Sequence, residues 1–342
     1  MILHHNQYIA STGISVSTGF ATAVSTEVEA FEQVAETNRI LEEAGRHFWK
    51  DRVEGRELAL LLLRRFDQTV AALKSCGWSK GRIRQELAPS RRVFATCSFM
   101  RRCQEWPRGY AGDFETIEYL AAGANQSLPG TPGWYIEEIL LHSPVAQQHR
   151  NKLNCQSRTI ARALMGNKTA RVLSVACGGC LDWIPLLGCL KNFEGEIVLN
   201  DHDPEALEFA EQRLRSATTR YRLAPGNILR VAKRLENGPP FDLIVAGGLF
   251  DYLSDRAIAV LLRKMFHRLL TPDGVLLFTN IAEGNPWGYL MEFGSNWSLI
   301  ERSEDRILDI CRQSGIPNSA VSIRREHTGL ALIATVTAGG KP

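Results

Sequence analysis

The sequence predicts an α/β fold: a Rossmann-like, mostly parallel sheet in the C-terminal half, preceded by a helical N-terminal region. Three observations predict it. Short apolar runs at Val172–Val175, Glu196–Leu199, Phe241–Val245 and Val275–Phe278 have the length and content of strands buried on both faces. Helical patterns at Pro204–Leu214 and Ser254–Leu270 lie between such runs, and strand–helix alternation implies right-handed crossovers in a parallel sheet. Ahead of residue 166 the texture changes, and apolar residues recur mainly at helical spacing.

Taken in order, residues 1–24 are small and polar with little periodicity and are expected to be a mobile leader. Thr26 and Glu29 fit a capping box, opening a helix whose apolar face includes Val28, Phe31, Val34, Ile40 and Leu41. A second amphipathic helix is predicted over Glu57–Cys76, with shorter ones over Lys80–Leu87 and Ser90–Gln104. Trp106–Gly133 is broken by Pro107, Gly109, Gly112, Gly123, Pro129, Gly130 and Pro132, so turns and loops are expected there. A long helix over Tyr135–Met165 then leads into the sheet. Strands at Ser319–Glu326 and Gly329–Thr337 would complete it as a hairpin. The expected organisation is a leader (1–24), a helical cap domain (25–165) that covers the active site, and a catalytic domain (166–342).

At 342 residues the chain exceeds one average domain, and its formal net charge of +3 is too weak to argue for nucleic acid. No run of eighteen apolar residues suggests a membrane span, and the N-terminus lacks the pattern of a secretory signal. The eight cysteines are too sparse for a disulfide framework, which fits reduced thiols and a cytoplasmic location. Cys177-x-x-Cys180 has no second pair or paired histidines, so neither a metal site nor a redox role is expected.

The first strand runs into Ala176-Cys177-Gly178-Gly179-Cys180-Leu181-Asp182, a small-residue turn where such sheets bind cofactors. The second strand ends at Asp201, whose carboxylate is placed to accept hydrogen bonds from ribose hydroxyls, with His202 directly after it. Dinucleotide sites want three spaced glycines to cradle a pyrophosphate. Here the third glycine is missing and Asp182 would repel phosphate while tolerating a sulfonium-bearing amino acid. The loop therefore favours S-adenosylmethionine, with S-adenosylhomocysteine as product. Ala176, Cys177, Gly178, Asp182, Asp201 and His202 are the expected cofactor residues, with Asn227 at the adenine edge and Gly247 after the fourth strand.

Three blocks carry a family likeness: Pro107-Arg108-Gly109-Tyr110-Ala111-Gly112-Asp113, Ala246-Gly247-Gly248-Leu249-Phe250-Asp251-Tyr252-Leu253, and Asn280 to Pro286 followed by Tyr289-Leu290-Met291-Glu292 and Asn296 to Ile300. In these the chain resembles a group of bacterial class I small-molecule methyltransferases that includes the enzyme forming 3-hydroxypalmitic acid methyl ester. The resemblance spans roughly residues 95–337 and departs at Ala176, Cys180 and Trp287-Gly288. It implies methyl transfer to a small molecule without fixing the acceptor; O-methylation of a carboxylate or hydroxyl is expected ahead of N- or S-methylation of an amino-acid-like metabolite.

Methyl transfer from a sulfonium asks mainly for alignment and exclusion of water; a hydroxyl or protonated amine also needs a base. Tyr110 and Asp113 are candidates for a lid, although Asp113 equally suits the cap of a helix starting near Phe114. Asp251 and Tyr252 lie where the transferring methyl is expected. Arg108 could pair with a substrate carboxylate or be a surface charge, and Trp134 could wall the substrate or belong to the core. Asn285 and Glu292 rest on the resemblance. An RNA methyltransferase is the competing reading, on the basic stretch Lys80, Arg82, Arg84, Arg91, Arg92, Arg101 and Arg102; a third is a binding protein without turnover. A homodimer is compatible with the sequence.

Overall fold

The computed structural model describes residues 26–339, together with the backbone of two short strands, β1 (Gln7–Ile9) and β2 (Ser15–Ser17), which pair antiparallel. The rest of the expected leader lies outside the described residues. The chain divides into two compact units, residues 1–146 with 286–298, and residues 147–285 with 299–342.

The first unit is helical: α1 (Glu27–Gly45), α2 (Arg52–Ser75), α3 (Lys80–Glu86), α4 (Ala88–Phe94), α5 (Ser98–Glu105), α6 (Phe114–Ala122) and α7 (Pro132–Leu141). The Thr26/Glu29 capping box is present, with both hydrogen bonds made. The second helix begins five residues before Glu57, because the Asp51 carboxylate accepts from the Glu54 N–H and so caps it earlier. Two helices expected to be continuous are broken. Ser90–Gln104 is split between α4 and α5 at Ala95–Cys97, and Tyr135–Met165 between α7 and α8 (Pro144–Gly166) at His142-Ser143. The second break has a local cause: Pro144 disfavours helical backbone at Ser143 and cannot donate to a preceding turn.

Glu137 on α7 is fully buried and ties this unit together. Its carboxylate accepts from the N–H groups of Ser98 (3.0 Å) and Gln126 (2.8 Å) and from the hydroxyls of Tyr119 and Ser127. Residues 286–298 leave the sheet and return to this unit as a π-helical turn, Leu290–Gly294. The Arg84 guanidinium donates to the Glu292 carbonyl (2.7 Å), that of Arg91 to Asn296 Oδ1 (3.0 Å), and Gln104 Nε2 to the Gly294 carbonyl (2.8 Å).

The second unit holds the sheet, built from β3 (Arg171–Val175), β4 (Glu196–Asn200), β5 (Tyr221–Leu223), β6 (Phe241–Ala246), β7 (Leu270–Ile281), β8 (Val321–Arg325) and β9 (Ala331–Thr337). Strand order is β5-β4-β3-β6-β7-β9-β8. The first five strands are parallel, and β9 and β8 add antiparallel as the expected hairpin. Helices α9 (Pro204–Leu214), α10 (Ile228–Leu235), α11 (Asp255–Lys264) and α12 (Glu304–Gln313) complete the unit.

Alternate strand residues feed two cores. Leu173, Val198, Ile244 and Leu276 pack on one face with Val231, Leu261 and Ile310, while Val172, Ile197, Leu243 and Leu277 pack on the other with Ile160, Leu164, Trp183 and Leu207. A sheet covered on both faces explains why its strands look like unbroken apolar runs. The order reverses between β3 and β6, so the loops after these strands flank the switch point where ligands bind such sheets.

Candidate active site

All cofactor candidates lie at the carboxyl edge of the second unit. After β3 the chain turns through Ala176 (φ 48°), Gly178 (φ 52°) and Cys180 (φ 58°), three left-handed residues in five. At the two that are not glycine this costs about 1–2 kcal/mol each. The turn is held by hydrogen bonds from Cys177 N–H to the Asn200 carbonyl and from Cys180 N–H to the Cys177 carbonyl, both 2.9 Å. The Arg213 guanidinium, at the end of α9, donates to the Gly179 carbonyl. Left-handed backbone without glycine is thus kept by contacts on both sides of the loop.

Asp201 follows β4 and is buried. One carboxylate oxygen accepts from Gly178 N–H (2.8 Å) and the other from Asp203 N–H (3.0 Å), with His202 Nδ1 at 3.3 Å. A carboxylate offers about four acceptor positions, so capacity for a ribose hydroxyl remains. The hydrogen bond from His202 to Asp201 raises the pKa of that imidazole. Asn200 sends both amide hydrogens to the carbonyls of Ala224 and Gly226, each at 2.8 Å, fixing the next loop. There Asn227 caps α10, its side-chain oxygen accepting from Leu229 N–H (2.9 Å), and its amide nitrogen is the part left to meet a base.

Asp182 is buried with only the backbone N–H groups of Asp182 and Trp183 to oppose desolvation, and burial lifts its pKa to about 7. The donor set is therefore two buried carboxylates beside a tight turn, which suits a cationic nucleoside and repels a diphosphate.

Beyond β6, Gly247 lies against Gln156: a Cβ there would come within 2.1 Å of Gln156 Oε1 and push that side chain aside. Asp251 is buried, accepting from Ile281 N–H (2.5 Å) and facing Lys152 Nζ at 3.5 Å. Tyr252 beside it is exposed. Arg302, which the sequence did not single out, braces the same loop through the carbonyls of Phe250 (2.9 Å) and Leu253 (2.5 Å) and through Asn280 Oδ1 (2.6 Å). Asn285 N–H donates to Glu301 (3.3 Å).

The remaining candidates belong to the first unit. Asp113 is buried and caps α6, accepting from Thr116 N–H and hydroxyl at 2.9 Å and pairing with Arg102 at 2.7 Å. Arg108 lies over the Phe114 ring at 4.8 Å. Tyr110 is half-buried in the turn before α6. Trp134 packs edge-on against Tyr135 and under Arg52, and Glu292 pairs with Lys80 at 2.6 Å. The basic stretch is engaged throughout: Arg82 with Glu27 (2.6 Å), Arg92 with Glu42 (3.3 Å), Arg101 with the Ala95 carbonyl (2.7 Å), and Lys80, Arg84, Arg91 and Arg102 as above. The described residues contain no group of three or more His, Cys, Asp or Glu able to hold a metal ion.

Residues 173–276 match the family model described as a methyltransferase domain. This stretch is a methyltransferase domain. It covers β3 through most of β7 and both loops of the switch point, and its methyl donor is S-adenosylmethionine. No curated protein matches the chain. Among solved structures, a "possible exported protein" from Bordetella parapertussis is 16% identical, with a TM-score of 0.54 over 93% of this chain and 100% of that one. This likeness concerns the fold. Magnesium protoporphyrin IX methyltransferase from Synechocystis PCC 6803, with bound S-adenosylhomocysteine, is 14% identical over 56% of this chain and 86% of that one, at a TM-score of 0.42. That likeness is too loose to inform the substrate.

Proposed function

We propose that the chain methylates an oxygen of a small molecule, with the cofactor lying along the carboxyl edge of β3, β4 and β6. The observation that carries the cofactor placement is the Asp201 carboxylate, fixed by Gly178 N–H at 2.8 Å with acceptor capacity to spare. In it, Asp201 and His202 take the ribose, Asn227 the base, and Asp182 with the turn Ala176-Cys177-Gly178 the methionine end. The bound cofactor supplies a sulfonium methyl group activated for displacement. Asp182 would sit beside that positive charge, and Gly247 admits the Gln156 side chain against the loop after β6. Asp251 holds the loop after β6 through the Ile281 N–H and faces the Lys152 ammonium beside the expected path of the methyl group.

The engaged basic stretch favours a small molecule over RNA. All eight cysteines are free thiols, which supports a cytoplasmic location, and among the described residues no helix is long and apolar enough to cross a membrane. Calorimetric titration with S-adenosylhomocysteine tests the assignment. Wild-type protein should bind it and Asp201→Ala should weaken binding at least about tenfold, the loss of one charge-assisted hydrogen bond. Unchanged affinity would remove Asp201 from the site.

A further inference from the structure

Helix α8 changes character along one face. A step of four residues advances only ~40° around a helix, so Gln148, Lys152, Gln156, Ile160 and Leu164 form one slowly winding row, with His149 beside it. Ile160 and Leu164 are in the core under the sheet. The N-terminal half of the row is also buried, yet polar: Gln148, Lys152 and Gln156 are each no more than 5% exposed. Gln156 reaches Gly247 and Lys152 faces Asp251, so this polar half lies against the loop at the carboxyl end of β6.

Two atoms on it are sealed from solvent with no hydrogen-bond partner among the described residues, Gln148 Oε1 and His149 Nε2. A buried polar atom left unpaired costs stability, so two on neighbouring residues of the helix that meets the loop after β6 point to a ligand that pairs them. Gln148 Oε1 can only accept, and an ionised carboxylate has nothing to donate.

We propose that His149 and Gln148 receive the hydroxyl hydrogen of the methyl acceptor, making the substrate an alcohol or phenol, with His149 as the proton acceptor. The proposal rests on the methyltransferase reading above and narrows it. In the step, an oxygen lone pair forms the new C–O bond while the S–C bond breaks and its electron pair stays on sulfur. The hydroxyl proton passes to His149 Nε2, so the positive charge moves from sulfonium to imidazolium. Burial, with smaller contributions from Lys152 and Arg150, lowers the His149 pKa to about 3 and keeps the ring neutral, and the tautomer with its hydrogen on Nδ1 offers the Nε2 lone pair. So weak a base suffices because a methylated hydroxyl is an oxonium, a far stronger acid than any imidazolium.

The test needs no knowledge of the natural acceptor. Gln148→Met and His149→Leu remove the orphaned atoms, so each variant should melt roughly 2–4 °C higher while binding S-adenosylhomocysteine as wild type does. In the S-adenosylhomocysteine complex, phenol should bind in preference to benzoate, and His149→Leu should lose that preference. A melting temperature that stays level or falls in either variant overturns the proposal, since the atoms would then be satisfied within the fold. Preference for benzoate, binding of neither probe, or phenol affinity that survives His149→Leu overturns it too. Failure of the wild type to bind S-adenosylhomocysteine is a separate result and counts against the cofactor assignment.

Discussion

The Asp251 carboxylate and the Lys152 ammonium face each other at 3.5 Å, both almost wholly buried, while the second Asp251 oxygen takes the Ile281 N–H at 2.5 Å. Removing one member of a buried pair strands the other charge, a loss of about 3–5 kcal/mol, whereas replacing both by apolar groups can be neutral. Asp251→Ala should therefore lower the free energy of unfolding in urea by about 3–5 kcal/mol, and adding Lys152→Met should return much of it. Full stability in the single variant would show that the pair is not a brace.

Asp182 predicts a pH dependence of cofactor affinity. Burial raises its pKa to about 7, so below neutrality the free protein holds it as the uncharged acid. A cationic cofactor favours the carboxylate, and S-adenosylmethionine affinity should fall by up to about tenfold per pH unit as pH drops below 7. Binding near pH 6 should release a proton, visible as a buffer-dependent enthalpy. Protonation of His202 acts in the same direction, so Asp182→Asn is the deciding variant: it should flatten most of the profile. A profile unaltered by that substitution would exclude Asp182.

The sheet strands were legible because a parallel strand covered on both faces has no polar alternation to disguise it; Phe241–Ala246 and Glu196–Asn200 extend the expected runs by a single residue. The place of Asp201, after β4 and against the loop that follows β3, was legible from its spacing. The break before Pro144 carried a signal in the proline itself that helical periodicity on either side outweighed. Glu137 left a subtler mark, one of two carboxylates within the otherwise apolar run Trp134–Leu141, but its partners come from three distant segments. The membership of 286–298 in the helical unit is a tertiary fact, set by Arg84, Arg91 and Gln104, and no local pattern encodes it.

Asp67, in α2, gives a prediction for the helical unit. Its pKa is raised to about 6 by burial, against a smaller opposing hydrogen bond from the Leu290 backbone, and its Oδ1 has no partner among the described residues. A carboxyl with a raised folded pKa contributes stability that is fully present below the unfolded value and lost as pH rises through the folded one. Thermal melts should therefore show Asp67→Asn stabilising at pH 8, where the wild type carries a desolvated charge. Near pH 4 the two should coincide. The same stabilisation at both values would rule out ionisation as its cause.

At Gly247 the obstacle to a side chain is a neighbour, not the local backbone. A methyl group there would collide with the tip of Gln156, whose Oε1 lies 2.1 Å from the Cβ position. That tip is the flexible end of a buried side chain, so Gly247→Ala should cost no more than the overpacking range of about 1–3 kcal/mol. The conflict is pairwise. Shortening the partner in Gly247→Ala/Gln156→Ala should recover stability relative to the sum of the single variants, a favourable coupling readable in a double-mutant cycle of urea unfolding. Additive losses would instead mean that Gly247 is needed for backbone reasons independent of α8.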